Sequence, residues 1–142
     1  MTRAVIDTNL VVSGILTPGG RPAAVLRAAG GRFDLVWTPA IVVECYRALS
    51  YPRVAKLLAG RSEGARETVA NLAAVAILVP PDQLPAVRVV NADPDDDVLF
   101  GTAMAGAAKF VVSGDAAVLA VGSFAGVMVV SAAEFLASLG ET

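Results

Sequence analysis

Regular structure begins with the stretch Ala4-Val5-Ile6-Asp7-Thr8-Asn9, in which a short apolar run stops at an acidic residue followed by two polar ones. The run predicts a buried strand, and the polar trio predicts a strand end and a turn. A second segment repeats this pattern, because Phe110-Val111-Val112 is followed by Ser113-Gly114-Asp115. Open α/β proteins place their functional crevice beyond the carboxyl ends of the strands. We therefore expect Asp7 and Asp115 to lie at one shared edge of a sheet.

Outside these two segments, strand-like runs alternate with helical ones. Further strands are predicted at Leu35-Val36-Trp37, Ile77-Leu78-Val79 and Val127 to Val130, with a short extended piece from Val87 to Val90. Helices are predicted over Ala23 to Ala29, from the N-cap Thr38 to Leu49, over Val54 to Leu58, from Ser62 to about Ala74, from Asp93-Pro94 to about Ala107, over Ala117 to Ala120, and from Ser131, where Glu134 completes a capping box. This alternation predicts an α/β fold of three layers, α/β/α, around a central, mostly parallel sheet.

The composition sets the class of protein. The chain has 142 residues, of which 56% are hydrophobic and 17% charged, so it carries enough apolar material for a buried core and is not disordered. No linker divides residues 1–142, and a single domain is expected. The uncharged stretch from Ala116 to Ala133 is interrupted by glycine and serine, and the apolar run before Asp7 is too short for a signal peptide. We expect a cytoplasmic protein that does not span a membrane.

The residues that are missing exclude most hydrolase mechanisms. The chain has no histidine and one cysteine, Cys45, so zinc patterns and the Ser-His and Cys-His nucleophile pairs are unavailable. Carboxylates are plentiful, and their oxygens are the hard ligands that Mg²⁺ or Mn²⁺ prefers.

Four aspartates crowd the segment from Asp93 to Asp97. Three of them, Asp93, Asp96 and Asp97, have the i, i+3, i+4 spacing that places side chains on nearly one face of a helix. A helix start that is capped and matched to the dipole is one interpretation, since each carboxylate in a first turn is favoured by roughly 0.3–1 kcal/mol. Four aspartates exceed what capping needs, however, and a divalent cation would remove their mutual repulsion.

Glu44 lies in a helical segment between apolar neighbours, including Val43 and Cys45, so at least its stem is expected to be buried. An unpaired buried carboxylate is costly. Two interpretations remain open, in which Glu44 either pairs with Arg47 or faces the same cation as the aspartates.

Basic residues are concentrated in one part of the chain, although the net charge is −2. Five of the eleven lie between positions 47 and 66, namely Arg47, Arg53, Lys56, Arg61 and Arg66. They are either contacts for a nucleic-acid backbone or a solvated helical face.

Taken together, these motifs make the chain resemble the PIN-domain nucleases, and more closely the toxin-like (VapC-like) branch of bacterial and archaeal toxin–antitoxin systems. The first motif runs from Val5 to Ser13, the Glu44 helix after Thr38-Pro39 is similar to the second, Asp93 to Asp97 to the third and Val111 to Asp115 to the fourth. The resemblance covers essentially the full chain.

This resemblance implies specific roles for the polar residues. The metal-binding and catalytic acids fall on Asp7, Glu44, Asp96 and Asp115, with Asp93 or Asp97 able to share or replace the role of Asp96. Ser113, Thr8 and Asn9 would orient the carboxylates or a metal-bound water. The implied activity is hydrolysis of RNA phosphodiesters with Mg²⁺ or Mn²⁺, and the implied partners are a second copy of the chain and an antitoxin.

Two other functions compete with this one. The first is a catalytically silent module of the same fold that dimerises and binds a protein partner. The second is a phosphoryl-aspartate protein, either a receiver domain or a phosphatase, but Asp7-Thr8-Asn9 lacks the second aspartate that such phosphatases place two residues later.

Overall fold

A computed structural model describes residues 1–89 and 93–140. The strands in these residues are β1 (Arg3–Ile6), β2 (Asp34–Trp37), β3 (Ile77–Leu78), β4 (Phe110–Val112), β5 (Ser123–Phe124) and β6 (Val127–Val130). They form one sheet in the order β3-β2-β1-β4-β6-β5. Neighbouring strands are parallel except for β5, which is antiparallel to β6. The predicted central, mostly parallel sheet is confirmed.

Helices cover this sheet. They are α1 (Thr8–Leu16), α2 (Arg21–Ala28), α3 (Pro39–Leu49), α4 (Pro52–Leu58), α5 (Ser62–Val75), α6 (Asp97–Ala105), α7 (Ala116–Leu119) and α8 (Ala132–Ser138), with 3-10 turns at Pro81–Gln83 and Pro94–Asp96. Helix α6 packs against β1, β2, β4 and β6, while α1 packs against α2 and α3, and α3 against α5. The three-layer α/β/α architecture is therefore confirmed as well.

The centre of the sheet is buried on both faces, which explains why its strands show no alternation of apolar and polar residues. Ala4, Val5 and Ile6 of β1 are all fully buried. The indole of Trp37, at the end of β2, donates a hydrogen bond of 3.0 Å to the carbonyl of Ile6 at the end of β1. This bond satisfies two buried polar groups and fixes the backbone directly before Asp7.

Two elements were not predicted. Helix α1 begins at Thr8, where the sequence indicated only a turn, and it buries Leu10, Val11 and Gly14. Packing against neighbouring elements, rather than capping, supports this start, because the Asp7 side chain makes no capping hydrogen bond. Strand β5 is only two residues long and depends on its pairing with β6. It is too short to show the alternation of apolar and polar residues that predicts a strand.

Three other predictions need correction. The helix predicted from Asp93-Pro94 to Ala107 starts as a 3-10 turn and ends at Ala105, since Ala107 has a left-handed backbone with φ of 55°. Thr38 occupies the predicted N-cap position before Pro39, but its hydroxyl donates to the carbonyl of Val79 and does not cap the helix. No strand forms over residues 87–89, and Val90, the end of that predicted piece, lies outside the described residues.

The uncharged stretch from Ala116 to Ala133 contains α7, β5 and β6. Among residues 1–89 and 93–140, no helix has the length and apolar character needed to cross a membrane.

A substitution at Gly106 tests the packing of α6 on the sheet. A Cβ added there would overlap Cγ1 of the fully buried Val36 and crowd Cγ2 of Val79 at 3.3 Å. We expect Gly106→Ala to lower the free energy of unfolding by about 1–3 kcal/mol, measured by urea denaturation. Gly64→Ala is the control, because a Cβ there meets no atom within 4 Å and lies inside helix α5, where alanine is favoured. Equal stability of the two variants would contradict this account of the packing.

Candidate active site

Two acidic residues follow neighbouring strands at the same edge of the sheet. Asp7 directly follows β1, and Asp115 lies three residues after the end of β4. The two strands are parallel, with Ile6 paired to Val112, and the Asp7 amide donates to the Val112 carbonyl at 3.0 Å. The shared carboxyl edge predicted for Asp7 and Asp115 is therefore present.

A buried serine connects these two residues. The hydroxyl of Ser113 donates a hydrogen bond of 2.7 Å to Oδ2 of Asp7 and accepts one of 3.0 Å from the backbone amide of Asp115. Ser113 is fully buried. Its hydroxyl fixes the orientation of the Asp7 carboxylate relative to the loop that carries Asp115.

Asp7 is a largely buried carboxylate, with 7% of its surface exposed. Burial raises the pKa of Asp7, and the charge of Asp115 acts in the same direction. The hydrogen bond from Ser113 and the nearby amides of Asn9 and Thr8 oppose this shift by favouring the charged form. Ionisation of the Asp7 carboxylate thus carries an electrostatic cost, which a cation would offset.

The aspartates of the third acidic segment have different surroundings. Asp93 accepts a hydrogen bond from the amide of Asp95 at 2.9 Å and begins the 3-10 turn. Asp97 accepts one from the amide of Val89 at 3.0 Å and so holds the preceding segment. Asp97 therefore has surroundings different from those of Asp93, whereas Asp93 and Asp96, three residues apart in the 3-10 turn, remain neighbours.

Asp96 is the member of this segment that interacts with the acids of the sheet edge. Burial, followed by the charges of Asp7, Asp115 and Asp93, raises the pKa of Asp96 to about 6. Carboxylates from three distant parts of the sequence are therefore close enough to repel one another.

Asp115 also has a structural role. Its Oδ1 accepts hydrogen bonds from the amides of Ala117 at 2.7 Å and Val118 at 3.4 Å, which caps helix α7. Its Oδ2 accepts neither of these bonds. Capping and a site at the sheet edge are thus compatible in this residue.

An open cleft of about 640 Å³ lies between the start of α1, helix α3 and the 94–99 segment. Its walls include Asp7, Thr8, Asn9, Glu44, Arg47, Tyr51, Asp95 and Asp96. A second cavity, of about 420 Å³, lies between α1, α2, α4 and α5, but no carboxylate lines it. The acidic cleft is therefore the candidate site.

Glu44 faces this cleft and is also paired. Its Oε2 accepts a hydrogen bond from Nη1 of Arg47 at 3.1 Å, and its Oε1 accepts one from the Tyr51 hydroxyl at 3.1 Å. The Glu44 side chain is 40% exposed. The pairing with Arg47 is confirmed, and the position in the cleft keeps a role beside the aspartates open. The hydrogen bond to Glu44 raises the pKa of the Tyr51 phenol, so this phenol remains a donor at neutral pH.

Below the cleft lies the single cysteine. The thiol of Cys45 is 3.8 Å from the hydroxyl of Thr8, and burial raises the pKa of Cys45 to about 11. The thiol is protonated at neutral pH, and a protonated thiol is neither a nucleophile nor a good metal ligand.

The donor set suits a hard divalent cation, since it consists of carboxylate oxygens that repel one another. In residues 1–89 and 93–140, however, no group of three or more acidic or thiol side chains is already arranged to hold a metal ion. The residues fit Mg²⁺ or Mn²⁺ by their chemistry, and binding requires the carboxylates to draw together.

The five basic residues between positions 47 and 66 make different contacts. Arg47 lines the cleft, while Arg53 and Lys56 are exposed on α4. Arg61 donates to the carbonyls of Leu58 and Leu57, and the guanidinium of Arg66 lies 4.7 Å from the centre of the Tyr46 ring.

Two cleft residues, Tyr51 and Asp95, were missed by the sequence analysis. Tyr51 follows Glu44 by seven residues, or two helical turns. A predicted α3 that continued to Tyr51 would therefore have placed both residues on one face. The proline after Tyr51 instead indicated a break.

Replacement of Asp96 should stabilise the metal-free protein. The folded state raises the pKa of Asp96 from 3.8 to about 6, so ionisation of this group disfavours folding above that pH. After allowance for solvent screening, we expect Asp96→Asn in EDTA at pH 7 to raise the Tm by roughly 2–4 °C. The gain should shrink as the pH falls from about 6 towards 3.8. Asp82→Asn, on the exposed 81–83 turn, is the control. A Tm for Asp96→Asn at or below that of this control would contradict the repulsion.

Removal of the Ser113 hydroxyl should destabilise the sheet edge. Ser113→Ala leaves the buried Asp7 carboxylate without its 2.7 Å donor, and we expect a loss of about 1–3 kcal/mol in the free energy of unfolding at pH 7. The loss should be smaller at acidic pH, where Asp7 is protonated. Ser50→Ala serves for comparison, since the exposed Ser50 hydroxyl bonds only within its own helix end. If both variants unfold at the same urea concentration, the hydrogen bond does not have this importance.

Comparisons with known proteins agree with this geometry. A family model described as a PIN domain matches residues 3–117. The crystal structure of PAE2754 from Pyrobaculum aerophilum has a similar fold, with a TM-score of 0.66 and 14% sequence identity over 98% of this chain and 90% of that one. A comparison with curated protein sequences found no match. The family model spans most of the chain, and the chain therefore belongs to the PIN domain family.

Proposed function

We propose that this protein is a metal-dependent endoribonuclease whose metal-binding acids are Asp7, Glu44, Asp96 and Asp115. PIN domains are in general metal-dependent nucleases. The observation that carries the proposal is the mutual repulsion of Asp7, Asp96 and Asp115, which come from β1, the 94–96 turn and the loop after β4. Capping of α7 accounts for Asp115 but not for the convergence of all three carboxylates, whereas a divalent cation would offset their repulsion.

The chain's own residues divide the catalytic work. When bound, a divalent ion supplies charge neutralisation at the phosphate and lowers the pKa of water. Asp7, fixed by Ser113, provides a preoriented carboxylate at the sheet edge. Asp96 or Asp115 would accept the proton of the attacking water.

Arg47 supplies a positive charge at the cleft wall, and Arg53 and Lys56 extend it along α4. These side chains would contact the phosphate backbone of RNA, which gives affinity that depends on salt and not on base sequence. Arg61 and Arg66 complete this set of basic residues, and their guanidinium groups, like that of Arg47, also contact groups within the protein.

We further propose that the protein is the toxin component of a toxin–antitoxin pair and acts in the cytoplasm as a homodimer. The support is the resemblance of its motifs to the toxin-like branch, together with an acidic cleft that a basic side chain of an antitoxin would complement. Growth arrest on expression of the wild type, absent with Asp7→Asn, tests the toxin role. Light scattering of the purified protein tests the dimer.

A catalytically silent module of the same fold is the second candidate. The observations in its favour are the pairing of Glu44 with Arg47 and Tyr51, and the lack of a ready-formed metal-binding group among residues 1–89 and 93–140. A nuclease assay separates the two functions.

Cleavage of defined tRNA, rRNA and mRNA substrates should require Mg²⁺ or Mn²⁺ and should stop in EDTA. We expect Asp7→Asn and Asp96→Asn each to reduce kcat by about 100-fold or more, because each removes a charged ligand. Asp97→Asn should stay within about threefold, since asparagine retains the oxygen that accepts the Val89 amide.

Asp82→Asn, an exposed acid on the 81–83 turn, is the matched control for the loss of one charge. RNA cleavage that persists in EDTA, or in Asp7→Asn at the rate of this control, would contradict the proposed function. A larger loss in Asp97→Asn than in Asp96→Asn would reassign the third acid.

A further inference from the structure

Both oxygens of the Glu44 carboxylate are held by donors. Arg47 donates to Oε2 and Tyr51 donates to Oε1, each at 3.1 Å. An exposed ion pair at i, i+3 alone contributes little to stability and does not fix a carboxylate. The second donor, Tyr51, lies in the junction between α3 and α4 as the N-cap of α4, so the orientation of Glu44 is defined both from its own helix and from this junction.

The backbone of Tyr51 is anchored. Its amide donates to the carbonyl of Ala48, and its own carbonyl accepts from the amide of Ala55 at 2.9 Å. Pro52 follows, which restricts Tyr51 to the extended conformation it has, with φ of −60° and ψ of 135°. The backbone that carries the phenol is therefore fixed. The residue is 45% exposed, so its ring is not needed to fill the core.

Glu44 has capacity left for a further ligand. An ionised carboxylate offers about four lone-pair positions, and the two hydrogen bonds occupy two of them. The electrostatic surroundings of Asp96 and Glu44 differ. Asp96 is affected by the charges of Asp7, Asp115 and Asp93. Glu44 is hydrogen-bonded to Arg47 and Tyr51. The same cleft is lined by Glu44, Asp7 and Asp96, so an oriented Glu44 is available at its wall.

We propose that Tyr51 is a positioning residue, whose hydroxyl, together with Arg47, orients Glu44 for binding a divalent cation with the aspartates. This inference rests on the proposed function and adds a residue that the acidic motifs do not include. The hydroxyl, and not the aromatic ring, carries the role. Tyr51 acts through Glu44 and does not touch the phosphate.

The test uses Mn²⁺ binding to the full chain without RNA, measured by calorimetry, and RNA cleavage as a second readout. We expect Tyr51→Phe to raise the Kd for Mn²⁺ by about 10-fold and to lower kcat at limiting Mn²⁺ by a similar factor, as for loss of a partner that orients a ligand. The KM for RNA should change less than about twofold. Tyr46→Phe is the matched control, since Tyr46 also lies on the α3 side but contacts Arg66 and does not line the cleft.

A double-mutant cycle shows whether Tyr51 acts through Glu44. In a Glu44→Ala background, which removes the acceptor, Tyr51→Phe should have no further effect on the Kd for Mn²⁺. An unchanged 10-fold effect in that background would overturn the inference, because the hydroxyl would then act on something other than Glu44. Tyr51 is exposed at the surface, and the Tm of Tyr51→Phe should equal that of Tyr46→Phe.

The remaining outcomes separate this inference from the proposed function. If the wild type binds Mn²⁺ and cleaves RNA but Tyr51→Phe equals Tyr46→Phe, the positioning role alone is overturned. If only Tyr51→Leu is impaired, and only in KM, the ring is a stacking platform and the positioning role is again overturned. If the wild type binds Mn²⁺ but does not cleave RNA, only the proposed nuclease activity is overturned. The Mn²⁺ affinities of the variants still decide the role of Tyr51. A wild type that does neither overturns both.

Discussion

The hydrogen bond from the buried hydroxyl of Ser113 to the carboxylate of Asp7 is the contact on which the acidic edge depends. It joins the ends of β1 and β4, the two parallel strands that carry Asp7 and Asp115, and the same hydroxyl receives the amide of Asp115. A buried carboxylate without a donor would be costly, and a loop without this anchor would be free to choose other positions. The Ser113 side chain therefore favours the charged form of Asp7 and also holds the loop that carries Asp115.

Much of the fold could be predicted because each main strand is a short apolar run that ends at a polar residue. Asp7 and Asp115 were placed at one edge from this pattern alone, and the parallel pairing of β1 and β4 accounts for it. Helix α1 was not predicted, since its start at Thr8 depends on burial of Leu10 and Val11 and not on a local cap. Thr38 shows the same limit, because its hydroxyl bonds to Val79, 41 residues away, and spacing along the chain carries no information about such a partner.

Most polar residues of the cleft could be predicted from the sequence, but Tyr51 and Asp95 could not. The resemblance favoured Asp96 and left Asp93 and Asp97 as alternatives, and the structure distinguishes Asp93 and Asp97 by the backbone amides that their side chains accept. Pro52 indicates a break in the helix after Tyr51. In the structure the chain continues around the same cleft into α4. Acidic residues of a site can be identified in a sequence because they cluster. A tyrosine that orients one of them can be identified only from its contacts in the structure.

The hydrogen bond between Asp97 and the amide of Val89 has a consequence for how this segment can change. Two neighbouring residues of this short segment have different roles. Asp96 lines the cleft, whereas Asp97 accepts a hydrogen bond from the backbone amide of Val89 in the preceding segment. Insertion of a single residue between them would move one of these side chains away from its partner, so the length of the run is constrained more strictly than its net charge. Related chains should therefore tolerate exchanges of acid type here far better than gaps.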